Sequence, residues 1–168
     1  MNTNATLYSS MPKSGSPFLD ACDSGDHTLV LSLLRGNKCV DINERGRFGR
    51  CGLFLACRGG HTAIIQTLIP SGADIEQKND HGFSPLYCAA LHNQLEALKL
   101  LLKEGANIHT VDLGGLTPLH IAAEKGYAEV IQLLLQYGAD KTIPDSIGNT
   151  PLAWAILKDN KRCIEILQ

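Results

Sequence analysis

Cysteine and histidine are the side chains of this sequence best suited to chemistry near neutral pH, and the chain carries six of each. A cysteine hydrolase needs a thiolate beside an imidazole, and Cys57 with His61 is the pair that spacing along the chain brings forward. No oxyanion donor or second base accompanies it, so the thiols read better as small buried apolar groups. No two histidines stand at metal-ligand spacing with a third partner, and no phosphate-cradling glycine loop occurs. The sequence thus assigns no catalytic and no metal-binding residue, and it implies no cofactor.

The elements that position these side chains come from a repeat. Thr117-Pro118-Leu119-His120-Ile121-Ala122-Ala123 returns 33 residues earlier as Ser84-Pro85-Leu86-Tyr87-Cys88-Ala89-Ala90 and 33 later as Thr150-Pro151-Leu152-Ala153-Trp154-Ala155-Ile156. Cys51 to Cys57 and Ser16 to Cys22 are further copies, the Ser16 copy offset by two extra residues that fall between Leu34 and Asp41. A hydroxyl followed by proline is a helix start, with the side chain capping a free N–H and the proline in the first turn. Turns at Gly25, Gly60, Asn93 and Gly126 separate that helix from a second one with an aliphatic stripe, such as Val130 to Leu135. Gly72, Gly105 and Gly138 then stop the second helix, and turn formers such as Asp145-Ser146-Ile147-Gly148 suit a hairpin.

The 168 residues are 44% hydrophobic with a net charge of -2, which excludes a disordered chain. The absence of Lys/Arg excess argues against nucleic acid or an anionic membrane as partner. No apolar run reaches the roughly 20 residues of a membrane span, and the polar start lacks the apolar centre of a signal peptide. The expectation is an intracellular protein, cytoplasmic or nuclear, or in a host cytosol if it is a secreted effector, monomeric and with reduced cysteines. The nine aromatic residues against 25 Leu and 15 Ala predict a core of slim aliphatic side chains.

The pattern Asp-x-x-Gly-x-Thr-Pro-Leu-His-x-Ala-Ala followed by Leu-Leu-x-x-Gly-Ala-Asp, nearly complete between Asp112 and Pro144, resembles the ankyrin repeat. The resemblance covers Ser16 to Gln168 and implies an all-α solenoid of stacked helix-turn-helix pairs with projecting β-hairpin loops. The expected division is a polar tail over 1–15 and repeats over about 16–45, 46–78, 79–111, 112–144 and 145–168. The resemblance also implies that His120 bonds to neighbouring loop backbone, whereas Tyr87, Phe54 and Ala153 in the same slot share no chemistry with it. Asn43 and His109 occupy equivalent hairpin positions, where the resemblance allows modification by asparaginyl or histidinyl hydroxylases.

Three departures carry expectations. Cys51-Gly52 replaces Thr-Pro and predicts a frayed helix start, while Pro70 predicts a shortened end to the second helix of that unit. The fifth unit turns at Asp159-Asn160 and stops at Gln168 before any closing Gly-Ala, as either a solvent-facing cap or a cut helix pair would.

The family resemblance implies a protein partner held at hairpin tips and on a concave helix face. The positions there free of the repeat pattern include Arg47, Phe48, Arg50, Arg58, His81, Phe83, Leu91, His92, Leu113, Leu116, Ile147 and Leu157. Seven of these are large and apolar, which predicts an apolar strip with an arginine patch at its N-terminal end. The function expected is a non-catalytic interaction module, such as a scaffold, inhibitor or effector. The alternative is the recognition segment of a larger enzyme.

Overall fold

The computed structural model describes residues 15–36 and 40–168. The expected polar tail up to residue 14, the two extra residues as far as they fall on 37–39, and Cys39 lie outside the described residues. Five helix pairs follow one another: α1 (Pro17–Ser24) with α2 (His27–Gly36), α3 (Gly52–Gly59) with α4 (Thr62–Leu68), α5 (Pro85–Leu91) with α6 (Leu95–Lys103), α7 (Pro118–Lys125) with α8 (Ala128–Gln136), and α9 (Pro151–Leu157) with α10 (Lys161–Leu167). First helices stack on first helices and second on second. The architecture is the all-α stack of helix pairs that the repeat predicts.

The caps explain where each first helix begins. Ser16, Ser84, Thr117 and Thr150 accept the backbone N–H three residues on, each with proline at the next position. Cys51 corrects the expectation of fraying: its Sγ accepts from Phe54 N at 3.4 Å, and Gly52 to Cys57 are all buried. Glycine replaces proline at 52 because a Cβ there would stand 2.9 Å from the Phe18 ring and 3.0 Å from Cys22 Sγ. Pro70 acts as expected, since α4 ends at Leu68 after seven residues where α6 and α8 run for nine.

The first helices end in the left-handed conformation at Gly25, Gly60 and Gly126, and Asn93 and Asp159 adopt the same φ, near 55°, in the third and fifth units. Asn and Asp bear this conformation better than other residues with a Cβ. Close stacking follows from the small residues after the caps. Cys22, Ala56, Cys57, Ala89, Ala90, Ala122 and Ala123 are wholly inaccessible, and Leu and Ile side chains fill the rest of the core.

The expected β-hairpins do not form strands among the described residues. Each loop instead closes with two backbone bonds, as in Asn79 N to Phe83 O at 3.0 Å and Gly82 N to Asn79 O at 3.0 Å. The same pair recurs at Gly46–Arg50, Asp112–Leu116 and Asp145–Asn149. In the last three loops the Asn79, Asp112 or Asp145 Oδ1 accepts two further N–H groups of its own turn. These contacts hold the tips rigid without a ladder.

Candidate partner-binding face

The twelve residues singled out by the sequence divide in two. Arg47, Phe48, His81, Leu113, Ile147 and Leu157 are exposed, while Arg50, Arg58, Phe83, Leu91, His92 and Leu116 are half-buried. Leu113, Ile147 and Leu157 expose 80%, 76% and 65% of their surface and Phe48 42%, and none of the four belongs to the core or packs against it. Phe83, Leu91 and Leu116 pack against the core instead. The reason is positional: Phe83 and Leu116 directly precede the N-cap, from which an apolar side chain folds back onto the first turn of its helix. Phe83 stacks on Tyr87 with ring centroids 4.6 Å apart.

At the N-terminal end the residues converge. Phe48 lies 6.3 Å from His81, and His81 5.7 Å from Phe83. The guanidinium carbons of Arg47 and Arg50 stand 4.7 and 5.1 Å from the Phe48 ring centroid, within cation–π reach. Arg58 is ion-paired with Asp23, and Arg45 with Asp80 at 3.0 Å. His92 Nδ1 bonds to the Cys88 carbonyl at 3.0 Å. Burial lowers the His92 pKa, helped by nearby Arg58 and Arg50 and opposed by that bond.

The Cys/His pair that the fold joins is not Cys57 and His61. His61 Nε2 lies 3.2 Å from the Asp23 carbonyl, whereas Cys88 Sγ sits 3.7 Å from His92 Nδ1. Burial raises the Cys88 and Cys57 thiols well above their ordinary range and pushes Cys22 up to about 12. All three therefore stay protonated at neutral pH, the opposite of an activated nucleophile. No group of three or more His, Cys, Asp or Glu among the described residues is arranged to hold a metal ion. A hollow of about 140 Å³ lined by Ile65, Gln66, Ile69, Pro70, Leu100 and Glu104 lies between the second helices, smaller than the roughly 300–1,000 Å³ of small-molecule sites.

Polar bridges from one unit to the next hold the face in shape, and they have the period of the repeat. Asn43 Oδ1, Glu76 Oε1 and His109 Nε2 accept the backbone N–H of Asp74, Asn107 and Asp140 at 2.8, 2.7 and 3.1 Å. On the opposite side of each unit, His61, Gln94 and Asn160 reach back to carbonyls at the end of the preceding first helix. The 33-residue spacing is the sequence signal for both series; it pairs Asn43 with His109, while the bridging bonds themselves are legible only in the fold. Residue type also separates Tyr87 from His120, which the structure joins: Tyr87 donates to Asp112 Oδ2 at 3.1 Å and His120 Nε2 pairs with the Asn149 carbonyl at 3.1 Å. Both reach the next loop from the same slot.

The family pattern described as ankyrin repeats (3 copies) matches residues 18–112 and 105–168. The chain belongs to the ankyrin-repeat family. Ankyrin repeats bind protein partners, and such domains are generally non-catalytic. No helix of the described residues of this ankyrin-repeat chain is long and apolar enough to cross a membrane. Its sequence is similar to the mouse serine/threonine-protein kinase TNNI3K, 39% identical over 54 residues that make up 32% of this chain and 6% of the kinase. It is likewise similar to the rat serine/threonine-protein kinase TNNI3K, 41% identical over 46 residues, 27% of this chain and 6% of the kinase. The chain thus spans a small fraction of the length of these relatives.

Proposed function

We propose that this ankyrin-repeat chain is itself a non-catalytic interaction module, with a domain over 16–168 divided into the five repeats given above, that engages one protein partner through its loop tips and the adjacent ends of its first helices. The observation that carries this reading is the exposure of Phe48, Leu113, Ile147 and Leu157, four large apolar side chains that the stack does not use. Phe83, Leu91 and Leu116 support the surface from beneath, and Arg47, Arg50, Arg58, His81 and His92 give its N-terminal end polar contacts. Replacing Leu113 and Ile147 together with Ser should abolish partner capture while leaving the melting temperature within a few degrees of the parent. Unchanged capture would sink the proposal.

A second reading is that the chain is the recognition segment of a larger enzyme. The similarity to short segments of much longer kinases favours it. Sequencing the reading frame on both sides of the chain separates the two: a catalytic domain in frame supports the second reading, and the lack of one on either side removes it.

A further inference from the structure

Arg50 stands where the other units use a residue that fits. Its equivalents are Phe83 and Leu116, which fold onto the core, and Asn149, whose carbonyl pairs with His120. Arg50 follows the same path and is half-buried, so that its Nε lies out of solvent without a hydrogen-bond partner. A buried donor of this kind ordinarily finds an acceptor, and one left open is costly, the more so when charged. Its nearest charged neighbours make this worse. Burial, then Arg58, disfavours the charge of Arg50; Asp23 supports it, and Arg47 adds a smaller opposing effect. Asp23 is already paired with Arg58 and Asp80 with Arg45. Among the described residues, Arg47 and Arg50 form no ion pair beside these two. The patch is cationic on a chain of net charge -2.

The loop beside it is also irregular. Phe48 has φ 60° and ψ 28°, a conformation that its counterparts His81 and Ile147 do not share and that bulky side chains rarely take. That geometry holds the ring beside both unpaired guanidiniums. Gly46 stands in place of Asn79, Asp112 and Asp145, so this loop alone among the four lacks the carboxamide or carboxylate that would have supplied a negative end. Strain, an open buried donor and a missing acceptor meet at one tip, a conflict of local rules of the sort found at binding sites.

We infer that the Arg50 guanidinium, with Arg47 and the Phe48 ring, receives a carboxylate side chain from an acidic segment of the partner protein, one that alternates acidic and apolar residues. The two Nη groups of Arg50, which are not closed off as Nε is, offer parallel N–H donors that fit a single carboxylate end-on. Phe48 here, with Leu113 and Ile147 on the later tips, suits the apolar residues of the same segment and disfavours a phosphate-dense ligand. The inference rests on the reading of this face as the partner-binding one.

The test uses the arginine Nε–Hε signals of the whole isotope-labelled chain, titrated with a short synthetic peptide of alternating Glu and Leu. The expected result is a displaced Arg50 signal, no displacement by the Lys/Leu counterpart, and affinity that falls as salt is added. Arg50→Gln should weaken the Glu/Leu peptide about tenfold, the loss of one charge-assisted pair, whereas Arg45→Gln, whose partner is Asp80, should leave it unchanged. An Arg50 signal that stays in place, equal affinity in R50Q, or binding of a phosphoserine/Leu peptide where the Glu/Leu peptide fails would each overturn the inference. Partner capture distinguishes the levels. Capture that survives R50Q but is lost in L113S/I147S overturns the acidic segment and keeps the interaction face, and capture that survives both removes both.

Discussion

The His120 imidazole is fully buried and used at both nitrogens. Nδ1 accepts from Thr117 N at 3.1 Å, completing a capping box, while Nε2 faces the Asn149 carbonyl. A second proton would have to displace the Thr117 N–H. Burial accordingly lowers the pKa of His120, as it does that of His92. The unfolded chain binds a proton near pH 6.5 and the native state only below that, so both histidines favour folding fully above about pH 6.5 and lose that contribution as pH falls through the native values. The melting temperature should therefore drop between pH 7 and pH 5, and the drop should be shallower in the H92N/H120N variant. A parallel slope in that variant would assign the acid sensitivity to other groups. Cys51 makes a second prediction: Cys51→Ala removes the thiol acceptor of Phe54 N and should lower stability by about 0.5–1 kcal/mol, with Cys51→Ser restoring it, as read by urea denaturation. The sequence was clear about the hydroxyl caps and wrong about this one, because a thiol is a weak acceptor by type and becomes a cap only once the loop has aimed it.

At the level of the elements, what the period could reveal was every helix whose apolar stripe and cap recur. It could not distinguish Phe83 and Leu116 from Leu113 and Ile147. All four are large apolar residues of equivalent short loops, and what separates them is position: the residue after the left-handed glycine packs on the core, while Leu113 and Ile147 before it stay exposed. The bridging role of 43, 76 and 109 is hidden for a related reason: Asn, Glu and His share no side-chain type, and only the fold puts each beside an equivalent backbone N–H. Their shared role predicts that Glu76→Ala will leave the Asn107 N–H without its protein acceptor and cost about 1 kcal/mol. The same loss is expected for His109→Ala, and the double variant should show nearly the sum if the successive clamps act independently. Denaturant midpoints that do not move would reduce the series to surface contacts.

For the molecule, each pair touches chiefly its neighbours, so stability is a chain of interface terms. Inner pairs have two interfaces. In the last pair Leu152 and Ala153 are half-buried and Ile156 is 57% exposed, where Leu86, Tyr87 and Ala90 are inaccessible in the third. Amide hydrogen exchange should therefore be slowest along α5 and α7 and faster by at least an order of magnitude in α10. Uniform protection from α3 to α10 would instead require one cooperative unit.

Tryptophan 154, the single indole of the chain, belongs to that last pair. Its Nε1 donates to Asp145 Oδ2 at 2.8 Å and the Lys158 ammonium lies 5.9 Å from its ring. Intrinsic emission excited at the indole band is thus a one-site optical gauge of the C-terminal rung. Far-ultraviolet dichroism averages over all ten described helices. If the rungs part from the end inward, the emission curve will lead the dichroism curve on heating, and the gap between them measures how far the stack departs from all-or-none melting.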